Sequence, residues 1–145
     1  MKEELEIQLV SKYPDILRDY KGDKMVTCMA WGMECGDGWY DLLDDLMSKL
    51  DFLSKTSGVQ VVADQIKEKF GTLRFYYSTI VNGEKINEVI FGIIGNTVDA
   101  AERKSENTCE VCGKYGELRN KNGWLKTCCD KCAEEKGYAL DKSTQ

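Results

Sequence analysis

No histidine occurs among the 145 residues, which removes imidazole as a general base, a proton shuttle and a metal ligand, and with it most nucleophile–histidine triads. No apolar run approaches the ~18 residues that cross a bilayer. The opening Met1-Lys2-Glu3-Glu4-Leu5-Glu6 is acidic and carries no hydrophobic signal region. These lacks point to a cytoplasmic protein without a membrane partner. A phosphate-cradling loop of the G-x-x-x-x-G-K-[ST] type is missing as well, and no Ser, Thr or Cys has a recognisable base partner. Enzyme chemistry would have to run on carboxylates or lysine, and no convincing pair stands out, so a non-enzymatic protein is expected.

What is present is an ordinary globular composition, 42% hydrophobic and 31% charged. The formal charge of −5 is uneven. Residues 1–58 carry seven basic and twelve acidic groups, residues 59–108 six and seven, and residues 109–145 seven and six. The acidic first half would repel a phosphate backbone, which confines any nucleic-acid contact to the C-terminal part.

Hydrophobic spacing predicts an α+β fold. Leu5, Leu9, Tyr13 and Leu17 recur at helical intervals over 3–20, where Pro14 forces either a kink or two shorter helices. A second helix is predicted from about Gly38 to Leu53, with Asp37 as its N-cap. Its Trp39, Leu42, Leu43, Leu46, Met47, Leu50 and Leu53 are candidate core residues. Asp37, Asp41, Asp44 and Asp45 mostly mark its solvent face. Residues 59–77 are ambiguous, because Val62, Ile66 and Phe70 repeat at helical spacing while Leu73, Phe75 and Tyr77 alternate; a β-hairpin with Gly71-Thr72 as its connection is favoured over a helix followed by a strand. Asn82-Gly83 reads as a tight turn, followed by a third helix from about Glu84 to Lys104. Gly92 and Gly95 inside that helix suggest the close approach of another element. The expected organisation is amphipathic helices packed on a small antiparallel hairpin or sheet over 1–106, a zinc-ribbon-like module over 107–138, and a flexible tail over 139–145.

The odd number of cysteines, seven, and their paired spacing argue for reduced, metal-bound thiols and against a disulfide scaffold. Cys109-x-x-Cys112 and Cys129-x-x-Cys132 can each point two sulfurs at one ion, and four thiolates complete a closed, structural Zn²⁺ site. A redox dithiol or an iron–sulfur site is the competing reading, and Cys128 could replace Cys129. Cys28 and Cys35 read as buried apolar thiols.

Three further sets are candidates for binding. Trp31, Asp37 and Trp39 lie in an aromatic, glycine-rich stretch that could form a pocket for a planar ligand, the competing reading being a helix cap with two core tryptophans. Lys67, Lys69 and Arg74 surround Phe70-Gly71-Thr72 as a cationic hairpin tip. Arg119, Lys121 and Lys126 flank Trp124 between the cysteine pairs and form the nucleic-acid alternative.

Three segments taken in order, Glu34-Cys35-Gly36-Asp37-Gly38-Trp39-Tyr40, then Ile66-Lys67-Glu68-Lys69-Phe70-Gly71-Thr72-Leu73-Arg74-Phe75-Tyr76, then the ribbon from Cys109 to Cys132, resemble a family of small, poorly characterised phage and prophage proteins. The resemblance covers roughly residues 10–135. It implies expression in a host cytoplasm and, by analogy, a protein that inhibits a host or antiviral-defence factor. It would do so by binding that protein or by sequestering its small nucleotide-like ligand. For sequestration the expected contact set is Trp31, Asp37, Trp39, Lys69, Arg74 and Tyr76. The second expectation is a zinc-ribbon nucleic-acid-binding regulator.

Overall fold

The computed structural model describes residues 1–83 and 85–141. The chain is α+β, with two hydrophobic clusters that divide it near residue 105. Helix α1 spans Glu3–Lys12 and stops there, two residues before Pro14. Proline disfavours the helical conformation in the residue preceding it, so the chain leaves the helix at Tyr13 and continues through turns to Lys21. Neither a kinked helix nor a second α-helix forms. Tyr13, Ile16 and Leu17 still reach the core from this turn segment.

A 3-10 turn at Cys28–Trp31 leads to β1, Met33–Glu34. The buried Glu6 carboxylate fixes this region by accepting the Met33 N–H at 2.8 Å and the Tyr20 hydroxyl at 2.7 Å. Helix α2, Tyr40–Ser57, buries Leu42, Leu43, Leu46, Met47 and Leu50 on one face and ends on Gly58 at φ +77°. Asp37 does not cap it. It sits in a 3-10 turn ahead of α2, and its carboxylate accepts the Lys2 N–H at 2.7 Å, satisfying the start of α1 instead.

Strands β2, Val59–Lys69, and β3, Thr72–Val81, form the expected hairpin, and β1 adds a parallel strand on the far side of β2. The connection is Phe70-Gly71, at φ +54° and +82°, and not Gly71-Thr72. Two successive positive φ values make the turn whose twist suits a two-residue hairpin. Asp64 lies at a register shift in β2.

Helix α3, Val89–Ser105, runs antiparallel to β3 and packs against α2. The helix begins five residues later than the expected start near Glu84: residues 85–88 are not helical, and Glu84 itself lies outside the described residues. Gly92 and Gly95 do not receive the expected close neighbour from this chain: among the described residues a Cβ at Gly92 would meet nothing within 4 Å, and one at Gly95 only the Tyr77 hydroxyl at 3.6 Å. Among the described residues no helix is long and apolar enough to cross a membrane.

The second cluster holds Cys109, Cys128, Cys132 and Ala133. Strands β4, Glu117–Lys121, and β5, Trp124–Cys128, form a hairpin that turns on Asn122-Gly123. Helix α4, Asp130–Lys136, follows. The chain then returns as β6, Ala139–Leu140, paired with the other edge of β4. The tail expected from residue 139 therefore begins as an ordered strand, and residues 142–145 lie outside the described residues.

Candidate metal centre and its junction with the core

The Sγ atoms of Cys109, Cys112, Cys129 and Cys132 all lie within 4.8 Å of one another. Cys112 Sγ and Cys129 Sγ are 3.7 Å apart, far beyond a disulfide bond of ~2.05 Å. A regular tetrahedron with metal–sulfur bonds of ~2.3 Å has edges of about 3.8 Å, so this spacing suits two sulfurs sharing one ion. Each pair is shaped by its own backbone. Cys109 donates its N–H to Lys114 O at 2.7 Å, and Gly113, at φ +82°, returns its N–H to Cys109 O at 2.8 Å. On the other side Cys129 Sγ receives the Cys132 N–H at 3.5 Å, at the start of α4. Cys128 is buried and outside the cluster, which assigns the second pair to Cys129.

The thiols of this cluster shift in opposite directions, Cys109 down and Cys112 and Cys132 up. Burial opposes the thiolate of Cys109, but N–H groups of Cys129, Cys112 and Val111 outweigh it and bring its pKa down to about 7. Burial raises Cys132, and it raises Cys128 to about 11. Four sulfurs this close cannot all carry charge without a cation among them. The donor set itself is soft and closed, with no protein position left for water.

The module is joined to the core through the other two motifs. From the glycine-rich loop, Gly38 N–H donates to Glu110 O at 2.8 Å and Gly36 N–H to Glu110 Oε1 at 3.0 Å. The Trp39 indole N–H donates to Thr108 O at 2.9 Å. A Cβ at Gly36 would stand 2.3 Å from Glu110 O, and one at Gly38 2.3 Å from Cys109 O, so only glycine lets the two backbones touch. From the hairpin tip, Gly71 O accepts the Thr127 hydroxyl at 2.7 Å, and a Cβ at Gly71 would strike Leu118. At the centre lies the buried Glu110 carboxylate, whose Oε2 takes Lys126 Nζ at 2.9 Å. Burial alone would depress the Lys126 pKa, yet the Glu110 carboxylate carries it above the ordinary lysine value.

Several sequence-predicted binding residues belong to this junction. Trp39 is wholly buried and presents no face to a ligand. Asp37 is held by Lys2, through the N–H and through the ammonium at 3.7 Å. Trp31 is exposed, with Lys24 Nζ 4.7 Å above its ring. Lys69 lies over the exposed Phe70 ring, and Arg74 and Tyr76 share the outward face of β3. The six residues expected to sequester a ligand do not form one surface.

In the nucleic-acid set, Arg119 is buried, donating from Nη2 to Asp130 at 2.5 Å and from Nε to Cys128 O at 3.3 Å. Lys121 gives its ammonium to Lys136 O at 2.7 Å, Lys126 is tied to Glu110, and Trp124 remains open to solvent. Cys35 is buried, with its pKa raised by burial to about 12, whereas Cys28 is exposed and not the buried thiol expected. Asp44 takes the Tyr13 hydroxyl at 2.7 Å and Lys12 at 3.0 Å, and Asp45 takes Lys49 at 2.8 Å, so those carboxylates serve as helix-surface partners.

The residue that sequence reasoning missed is Glu110. Its position inside a C-x-x-C pair drew attention to the cysteines alone. Comparison with models of known protein families finds no match, and no curated protein or solved structure is similar to the chain at a significant level.

Proposed function

We propose that the four clustered cysteines hold one Zn²⁺ ion, and that the protein acts by binding another protein, not by catalysis. The ion's work would be structural. It would tie the two cysteine pairs into the shape that receives the Gly36–Gly38 loop and the Gly71 tip, a task for which the second cluster alone offers few apolar side chains. Support for a non-enzymatic role comes from the buried ionisable groups. Glu6, Glu110 and Arg119 are each tied by hydrogen bonds that hold the fold together.

The observation that carries the binding reading is one exposed apolar segment. Met25 and Val26 are 90% and 82% exposed, and Trp31 is 61% exposed beneath Lys24. Such an aromatic and aliphatic set beside a cation has the composition of a protein-contact patch. In the phage setting that the motif resemblance implies, the partner would be a host or defence protein, met in the host cytoplasm. The test compares wild type with Met25→Ser/Val26→Ser/Trp31→Ala as bait in host lysate, read by quantitative mass spectrometry. A protein captured at stoichiometric level by wild type and lost with the triple variant supports the reading. Identical captures from both baits overturn it.

Exposed Trp124 at the β4–β5 tip favours nucleic acid as a second reading. A gel-shift assay with single- and double-stranded probes at moderate salt decides it, and absence of any complex removes it.

A further inference from the structure

Strand β3 is the outer edge of its sheet, and α3 guards only half of it. Even-numbered residues of β3 turn their N–H groups toward β2, a pattern that Asn82 continues by donating to Gly58 O at 2.8 Å. Odd-numbered residues turn outward. Leu73 gives its N–H to Ser105 Oγ, and Phe75 gives its own to Glu102 Oε1, both at 2.9 Å. Among the described residues no hydrogen bond reaches the outward N–H groups of Tyr77 and Thr79.

Beyond Glu102 the helix face carries Asp99 one turn on and then glycine, which offers no polar guard. Gly95 lies seven residues earlier, on nearly the same face, and Gly92 follows one turn on. From Glu102 to Gly92 the helix climbs about 15 Å, and from Phe75 to Thr79 the strand covers about 13 Å. Gly92 therefore stands level with Thr79, and a Cβ there would meet nothing within 4 Å. Glycine weakens a helix interior, and a single chain gains no close contact in return.

The edge also lacks the usual protections. Phe75–Val81 contains no charge and no proline, and Ile80, Val81, Val89 and Phe91 are exposed around it.

We propose that this chain forms a two-fold dimer in which the β3 edges of two copies pair antiparallel about Thr79, making one six-stranded sheet, with the two α3 helices meeting at Gly92. A second copy suits this edge better than a foreign strand on two counts. The strand is neutral, so pairing with itself sets no like charges opposite one another. The two-fold also brings Gly92 against its twin, where missing side chains let two helices approach.

The test is sedimentation velocity on the full, zinc-loaded chain over a concentration series, with amide hydrogen exchange read at Tyr77 and Thr79. Wild type is expected at twice the chain mass, with both amides protected. Thr79→Pro removes one outward N–H while sparing the β2–β3 ladder, and Gly92→Lys puts a cation into space that is open in the single chain. Both are expected at half the wild-type mass with rapid exchange at Tyr77, and Gly92→Lys with unchanged helical content and metal stoichiometry. If Thr79→Pro fails to fold, Gly92→Lys alone carries the comparison. A wild type that stays at single-chain mass at the highest concentration overturns the proposal. So does a dimer that survives Gly92→Lys, or a single chain whose edge takes up only a foreign strand.

Discussion

A single methyl group at position 38 sets the two halves of the metal-module junction in conflict. A Cβ there would lie 2.3 Å from Cys109 O, 2.6 Å from Gly113 N and 2.7 Å from Cys112 N, all backbone atoms that no rotamer change can move. Gly38 is not among the residues at positive φ, so an alanine would suit its local backbone and the conflict is wholly tertiary. Ordinary contact needs roughly 1 Å more than these distances allow. That displacement breaks the 2.8 Å bond from Gly38 to Glu110 O and the 2.9 Å bond from the Trp39 indole to Thr108 O. Each such bond contributes about 1 kcal/mol, and overpacking adds about 1–3 kcal/mol, so Gly38→Ala should cost about 3–5 kcal/mol. Guanidinium denaturation followed by tryptophan fluorescence measures the loss, since Trp39 spans the core and the junction. Chelator competition should show weaker metal binding even though all four cysteines remain. Gly95→Ala is the matched control, because its methyl meets only the Tyr77 hydroxyl at 3.6 Å and should leave stability unchanged or raise it by up to ~1 kcal/mol. A Gly38→Ala variant within ~0.5 kcal/mol of wild type would refute the docking role of the glycine-rich loop.

Four other outcomes follow from the same geometry. Cys129→Ser should abolish stoichiometric metal binding while Cys128→Ser preserves it, as read by inductively coupled plasma mass spectrometry; the reverse result would move the ligand set by one residue. Glu110→Ala strands the Gly36 N–H and a half-buried Lys126, and should cost about 3–5 kcal/mol in chemical denaturation; a neutral effect would deny Glu110 its central place. The Tyr13 hydroxyl, aided by Lys12, holds the Asp44 pKa below the ordinary carboxylate value. Asp44 therefore contributes stability above that range and loses it as pH falls through its lowered pKa, so the advantage of wild type over Asp44→Asn should shrink in acid and persist at neutral pH. Stripping the metal with a chelator should melt amide protection across residues 107–141 and leave α2, α3 and the β2–β3 hairpin protected, as followed by hydrogen exchange.

Much of the secondary structure was legible from spacing alone. Leu73, Phe75 and Tyr77 alternate, Leu42 to Leu50 recur at helical intervals, and the cysteine pairs carry their geometry within four residues each. Local signals failed where the partner is distant in sequence. Gly36, Asp37, Gly38 and Trp39 read either as a pocket for a ligand or as a helix cap leading into core tryptophan. Gly36, Gly38 and Trp39 in fact meet residues 108–110, and Gly36 reaches Glu110 across 74 residues. Asp37 read as the cap of the helix that follows it, because nothing near it revealed Lys2 as a competitor. Trp124 and Lys126 sit on one strand, yet only the fold turns the first to solvent and the second onto a buried carboxylate. Gly92 and Gly95 suggest the close approach of another element, and the described chain supplies none.

X-ray absorption at the zinc edge, on natively purified protein, tests most directly whether four sulfurs gather on one ion and so shape the surface that the rest of the chain grips. One zinc per chain with four sulfur scatterers at ~2.3 Å is the expected result. No stoichiometric zinc, or a first shell containing nitrogen or oxygen, would contradict it.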